Sequence, residues 1–113
     1  MSDKTYYHNP RCSKSRQGLE LLKNKKVDFQ VKEYLKEGLT EKELINIFNL
    51  LKSRPVRNKE TIYKELELNK QKLDDVQMAK IIVKNPILLE RPILVTASAA
   101  AVGRPPEELL TIL

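Results

Sequence analysis

Thr5-Tyr6-Tyr7-His8-Asn9-Pro10-Arg11-Cys12-Ser13-Lys14-Ser15-Arg16 is the stretch whose reading decides the fold. Its first four residues are rich in strand formers, and Asn9-Pro10 is a turn signal that ends them. A helix should begin around Ser13, with Leu19 and Leu22 on one face, and run to about Lys25. Cys12 is thereby set in the loop between a strand and the helix that follows it. Further on, Val27, Phe29 and Val31 alternate with Asp28, Gln30 and Lys32, the pattern of a half-buried strand.

Working outward, Thr40-Glu41-Lys42-Glu43 is a capping box with Leu44, Phe48 and Leu51 at helical spacing behind it. Ser53-Arg54-Pro55 ends that helix. A charged stretch with Arg57 leads to a short helical piece around Ile62 to Leu68. Asp74, with Gln77 three residues on, starts a helix through Val83 that Asn85-Pro86 stops. Pro92-Ile93-Leu94-Val95-Thr96 reads as a buried strand and Ala99 to Gly103 as a second one after a tight turn. Pro105 fits the first turn of a last helix, with Glu107 and Glu108 near its positive end. The order is strand, helix, strand, several helices, then two strands and a helix. That describes an α/β domain of thioredoxin-like (glutaredoxin-like) type, a mixed sheet with a helical insertion at about 40–85. One domain over residues 1–113 is expected from the length.

Composition narrows the function. Twenty-one Lys and Arg against fifteen Asp and Glu leave a net charge of +6. Acids are interspersed with the bases, aromatics are only 5%, and no basic stripe carries stacking residues, so a nucleic-acid partner is not expected. Residues 1–30 hold seven cations and three acids, a bias around Cys12 that suits a small anionic substrate. One Cys and one His exclude an intramolecular disulfide and a Cys/His zinc site, and no bound metal or cofactor is expected. Met1-Ser2-Asp3-Lys4 leads into the first strand without an apolar leader, and no run approaches the roughly 18 apolar residues of a membrane span. A cytoplasmic protein, with no membrane partner, is expected.

The chemistry centres on Cys12. A thiol where a strand turns into a helix meets unpaired N–H groups and the positive end of the helix dipole, both favouring thiolate. Arg11, Lys14 and Arg16 surround it in sequence, and His8 precedes it by four. Free cysteines are most often small buried hydrophobes, but Pro10, Arg11, Ser13 and Lys14 are the wrong flanks for a core position. Three residues on stands Ser15, so there is no Cys-x-x-Cys pair. After one nucleophilic event the thiol must be regenerated by an external thiol or a second chain.

The run from His8 to Arg16 resembles the opening motif of the glutaredoxin-coupled arsenate reductases. Arg91-Pro92-Ile93-Leu94-Val95-Thr96 resembles the second signature of that family, and Gly103-Arg104-Pro105 with Glu107 and Leu110 its third. Arg57, six residues before Tyr63, matches the remaining arginine. The resemblance spans essentially the whole chain and is to short-form members, which end just after the final helix. It implies a thioredoxin-like fold with a helical insertion and a cis peptide bond before Pro92. It further implies that Cys12 attacks arsenate at arsenic, with His8 tuning the thiol. Arg57, Arg91 and Arg104, together with Ser15, would bind the oxyanion. Glutathione would act as co-substrate and glutaredoxin as partner, releasing arsenite from a monomeric enzyme. Two alternatives remain open at this level: a Spx-like thiol-sensing regulator that binds RNA polymerase, and a glutathione-dependent thiol reductase inactive on arsenate.

Overall fold

The computed structural model describes residues 3–113; Met1 and Ser2, part of the leader reading and of the 1–113 boundary, lie outside the described residues. The chain divides into two compact units, one of residues 1–37 and 91–113, the other of residues 38–90.

The first unit carries the sheet. Strands β1 (Thr5–Tyr7), β2 (Gln30–Lys32), β3 (Ile93–Val95) and β4 (Ala100–Val102) lie in the order β2-β1-β3-β4. β1 pairs in parallel with β2 and antiparallel with β3, and β3 pairs antiparallel with β4. The parallel pair requires a crossover, supplied by helix α1 (Ser13–Asn24). Ile93, Leu94 and Val95 are all buried, which explains why β3 is uniformly apolar where an exposed strand would alternate. Tyr6, Leu22, Leu94 and Leu109 form the centre of this unit's core, with Leu19, Val27, Phe29, Leu110 and Ile112 packed on it.

Three local expectations shift. The strand expected over 27–32 is confined to Gln30–Lys32. Val27 and Phe29 reach the core from irregular backbone, whereas Val31 is 44% exposed because β2 is the outer strand of the sheet. A short helix not anticipated, α2 (Tyr34–Glu37), follows β2. The last helix is a 3₁₀ segment, Pro106–Ile112, and Pro105 precedes it instead of entering its first turn. Three residues per turn put Leu109 and Ile112 on the same side, so both meet the core.

The second unit is helical: α3 (Glu41–Leu51), α4 (Thr61–Glu65) and α5 (Asp75–Lys84), with 3₁₀ turns at Leu68–Lys70 and Pro86–Leu88. Both expected capping boxes form. Thr40 accepts from the Glu43 amide while Glu43 receives the Thr40 amide, and Asp74 and Gln77 do the same for α5. α3 packs on α5, burying Leu44, Ile47 and Phe48 on one and Met78, Ala79 and Ile82 on the other. Lys52, in the left-handed region at φ 58°, turns the chain out of α3 just before Ser53-Arg54-Pro55.

Candidate functional site

Cys12 stands at the N-cap of α1 in extended conformation. Its amide donates to the Asn9 carbonyl at 3.0 Å, and its own carbonyl receives the Arg16 amide at 3.0 Å, closing the first helical turn. The Asn9 side chain accepts the Arg11 amide at 3.1 Å, and the Arg16 guanidinium donates to the Pro10 carbonyl at 2.9 Å. Both ends of the short loop are therefore tied, and the thiol sits partly exposed at the helix start.

Two arginines from the C-terminal part of the chain complete the site. Arg104 donates through Nη2 to Cys12 Sγ at 3.6 Å and through Nε to the Arg91 carbonyl at 2.8 Å. Arg91 is 6% exposed, and its Nη1 lies 3.5 Å from the hydroxyl of fully buried Tyr34. The thiol pKa is lowered from its ordinary value. Burial pushes it up, but the Ser15 amide, the Arg91 side chain, the Lys14 amide and the charge of Arg104 together pull it down further. The positive end of α1 and two guanidinium groups thus act on the same sulfur.

The peptide bonds Arg91–Pro92 and Arg104–Pro105 are both cis; the resemblance implied the first, and nothing in the sequence reading pointed to the second. Two glycines make room for the Pro92 loop. A Cβ on Gly103 would stand 2.8 Å from Pro92 Cγ, and one on Gly18 would overlap the Tyr6 hydroxyl and lie 3.2 Å from Pro92 Cγ. Backbone and proline ring approach here as only glycine permits.

His8 and Ser15 lie behind the thiol loop and are both buried. The Ser15 hydroxyl oxygen receives the Asn9 amide at 2.9 Å and lies 2.7 Å from His8 Nδ1. With the Asn9 amide donating to it, the hydroxyl proton is available for a neutral His8 to accept. The His8 pKa is lowered, chiefly by burial and also by the charges of Arg16 and Lys23, against an opposing pull from Glu33. Tyr6 donates its hydroxyl to the Ser15 carbonyl at 2.6 Å, and burial above all raises its pKa. Ser15 thus offers the sulfur its amide, while its hydroxyl is committed to the loop's interior. The Tyr6 hydroxyl has no sequence signal beyond its strand setting and the Tyr34 hydroxyl has none; their placement comes from packing alone.

Arg57 belongs to the helical unit. Its amide donates to the Leu88 carbonyl at 2.7 Å, and its Nε lies 3.8 Å from Glu60 Oε2. Among the described residues there is no group of three or more His, Cys, Asp and Glu able to hold a metal ion, and no helix is long and apolar enough to cross a membrane.

Comparison with known proteins agrees with this geometry. The chain is 44% identical over 110 residues to an uncharacterized Escherichia coli K12 protein, YfgD, covering 94% of this chain and 92% of that one. It is 41% identical to a Neisseria meningitidis protein named arsenate reductase, covering 95% of each. An arsenate reductase structure from Vibrio cholerae superposes with a TM-score of 0.91 at 40% identity, covering 97% of both chains. These likenesses make the sheet-bearing unit and its helical partner the thioredoxin-like fold expected from the element order. With the ArsC family matching residues 7–112, from the end of β1 to the final 3₁₀ segment, the chain belongs to the ArsC family.

Proposed function

We propose that this chain is an arsenate reductase in which Cys12 is the single nucleophile and external thiols complete the reduction. The observation that carries the reading is the placement of Cys12 Sγ at the start of α1 with Arg104 Nη2 3.6 Å away and Arg91 acting on the same sulfur. Relatives of nearly the same length are named arsenate reductase, which supports the substrate. Neither the regulator nor the arsenate-inactive reductase is favoured by those names.

On this reading the Cys12 thiolate attacks arsenic, and one arsenate oxygen leaves as water after protonation. A glutathione thiol then displaces a second oxygen of the adduct as water, and a further thiol, from glutaredoxin, takes the glutathione sulfur into a disulfide while the As–S electron pair stays with arsenic. Water then hydrolyses the bond between Cys12 sulfur and the reduced arsenic, returning the thiol and releasing arsenite. Over the cycle, arsenic acid and two thiols become arsenous acid, one disulfide and one water. Arg91 and Arg104 bind the oxyanion, Arg57 is a third anion contact, and His8 tunes the thiol through the Ser15 hydroxyl. The helical unit is an insertion within one thioredoxin-like domain, and the enzyme works as a cytoplasmic monomer.

Thiol activation supplies the smaller share of catalysis. Each tenfold gain in thiolate fraction that a lowered thiol pKa brings is offset roughly threefold by the weaker nucleophilicity that a Brønsted slope of about 0.4–0.5 implies, leaving a gain of only a few-fold. Charge-assisted bonds to an oxyanion contribute on the order of 1.5–3 kcal/mol each. The test is a coupled assay with arsenate, glutathione, glutaredoxin, glutathione reductase and NADPH. Arsenate-dependent NADPH loss that vanishes in Cys12→Ser and without glutaredoxin is expected. Absence of turnover while Cys12 titrates as a low-pKa thiol would remove arsenate as substrate.

A further inference from the structure

A cleft of about 230 Å³ opens in the sheet-bearing unit between the loop that carries the thiol and the segment after β2. Its walls include Pro10 and Arg11 on one side and Glu33, Leu35 and Lys36 on the other. Arg11 immediately precedes Cys12, so one wall lies a single Cα step, about 3.8 Å, from the nucleophilic residue. Pro10 and Leu35 are exposed and supply an apolar floor. No hydrogen bond or ion pair engages the Arg11 guanidinium among the described residues, its backbone amide alone being bonded to Asn9. Lys36 Nζ lies 3.9 Å from Glu33 Oε1, with side chains 81% and 40% exposed. So exposed a pair is worth little and opens readily for a ligand.

Two cations and one anion therefore line a small apolar hollow whose wall includes the residue that precedes Cys12. The complement of that arrangement is an amino-acid head group, with a carboxylate for Arg11 and Lys36 and an ammonium for Glu33. We propose that this cleft binds the γ-glutamyl end of glutathione and so directs the peptide's thiol toward Cys12. The γ-glutamyl end carries both charged groups on one carbon, and the whole peptide is a net anion drawn to a basic face. A cleft below the roughly 300–1,000 Å³ of sites for drug-sized ligands suits one end of a tripeptide, leaving the cysteinyl part free to reach the adjacent thiol. The inference deepens the arsenate reductase reading and rests on it for its purpose. Binding itself makes or breaks no bond and can be read without turnover.

The experiment titrates the full-length, ¹⁵N-labelled protein with S-methylglutathione, which cannot react at sulfur, and follows the amide resonances. The amides of Arg11, Glu33, Leu35 and Lys36 are expected to shift together and saturably. S-methylcysteinylglycine, which lacks the γ-glutamyl group, is expected to leave them in place. Lys36→Glu, on an exposed site, should weaken binding about fivefold and Lys36→Gln less. In the coupled assay Lys36→Glu should raise KM for glutathione by a similar factor with KM for arsenate unchanged. Shifts that are absent, centred elsewhere or equally produced by the dipeptide would overturn the proposal, even with normal arsenate turnover. The expected shifts and their loss in Lys36→Glu, found in a protein that does not turn over arsenate, would uphold the site and refute the substrate.

Discussion

Arg104 and Cys12, 92 positions apart in the chain, meet at 3.6 Å between guanidinium nitrogen and sulfur. A fixed positive charge there stabilises thiolate over thiol, so removing it must raise the thiol pKa. Arg104→Ala is expected to move the pH midpoint of Cys12 alkylation upward and to slow alkylation several-fold at pH 6.5. An unmoved midpoint would mean that the contact does not act on the thiol.

Arg91 acts on the same sulfur from a buried position. If its main role is the oxyanion, Arg91→Ala will lower kcat/KM for arsenate about 10- to 100-fold even when pH is adjusted to equal thiolate fraction, the equivalent of one charge-assisted contact. A raised thiol pKa with kcat/KM restored by that adjustment would assign Arg91 to activation instead.

Ser15 joins His8 Nδ1 and the Asn9 amide through one buried hydroxyl. Ser15→Ala leaves both without that partner and should cost about 1–3 kcal/mol in urea unfolding at pH 7. His8 is the chain's single histidine, and its folded pKa is depressed. The stability this represents is full above the unfolded value of about 6.5 and is lost as pH falls through the lower folded value. The advantage of wild type over His8→Gln should therefore shrink as pH is lowered from 7; a constant difference would contradict the assignment.

Gly18 faces the Tyr6 hydroxyl, with Leu109 Cδ1 2.9 Å and Pro92 Cγ 3.2 Å from where a Cβ would be. In an exposed helix, Gly→Ala would add up to about 1 kcal/mol. Here overpacking at about 1–3 kcal/mol outweighs it. Gly18→Ala should lower Tm and, by displacing Tyr6 from the Ser15 carbonyl, alter the rate of Cys12 alkylation. A stabilised variant with unchanged alkylation would show that the neighbours yield freely.

Tyr6 carries a raised pKa in the folded protein. Its contribution is intact below the unfolded value of about 10 and is lost as pH rises beyond it. Tyr6→Phe should be less stable by about 1 kcal/mol at pH 7. Its deficit should narrow above pH 10 in denaturant titrations, and a deficit that widens would reverse the assignment.

The legible parts of the molecule were those written in local spacing. Thr40 with Glu43 and Asp74 with Gln77 read as capping boxes because each pair closes within one turn. The start of α1 beside Cys12 was legible from Asn9-Pro10 and the leucines behind it. Less legible was the phase of β2: Val31 continues the apolar alternation of Val27 and Phe29, but its place on the outer strand exposes it. The final segment was read as a helix with Pro105 inside it, whereas core packing of Leu109 and Ile112 favours a three-residue turn that begins at Pro106.

By itself, the sequence determined the order of the strands and longer helices, the helix caps and a cysteine held at a helix start without a resolving partner, all properties of neighbouring residues. Arg91 and Arg104 stood out only through resemblance, because nothing in their local spacing distinguishes them from surface arginines. Their approach to Cys12 was decided by tertiary structure. The register that sets Tyr7 against Ile93, and Ile93 against Val102, brings the end of β1, the start of β3 and the end of β4 to one edge of the sheet. The same packing turned the Ser15 hydroxyl inward and its amide toward the sulfur, since a fully buried side chain must find its partners among whatever the fold places beside it.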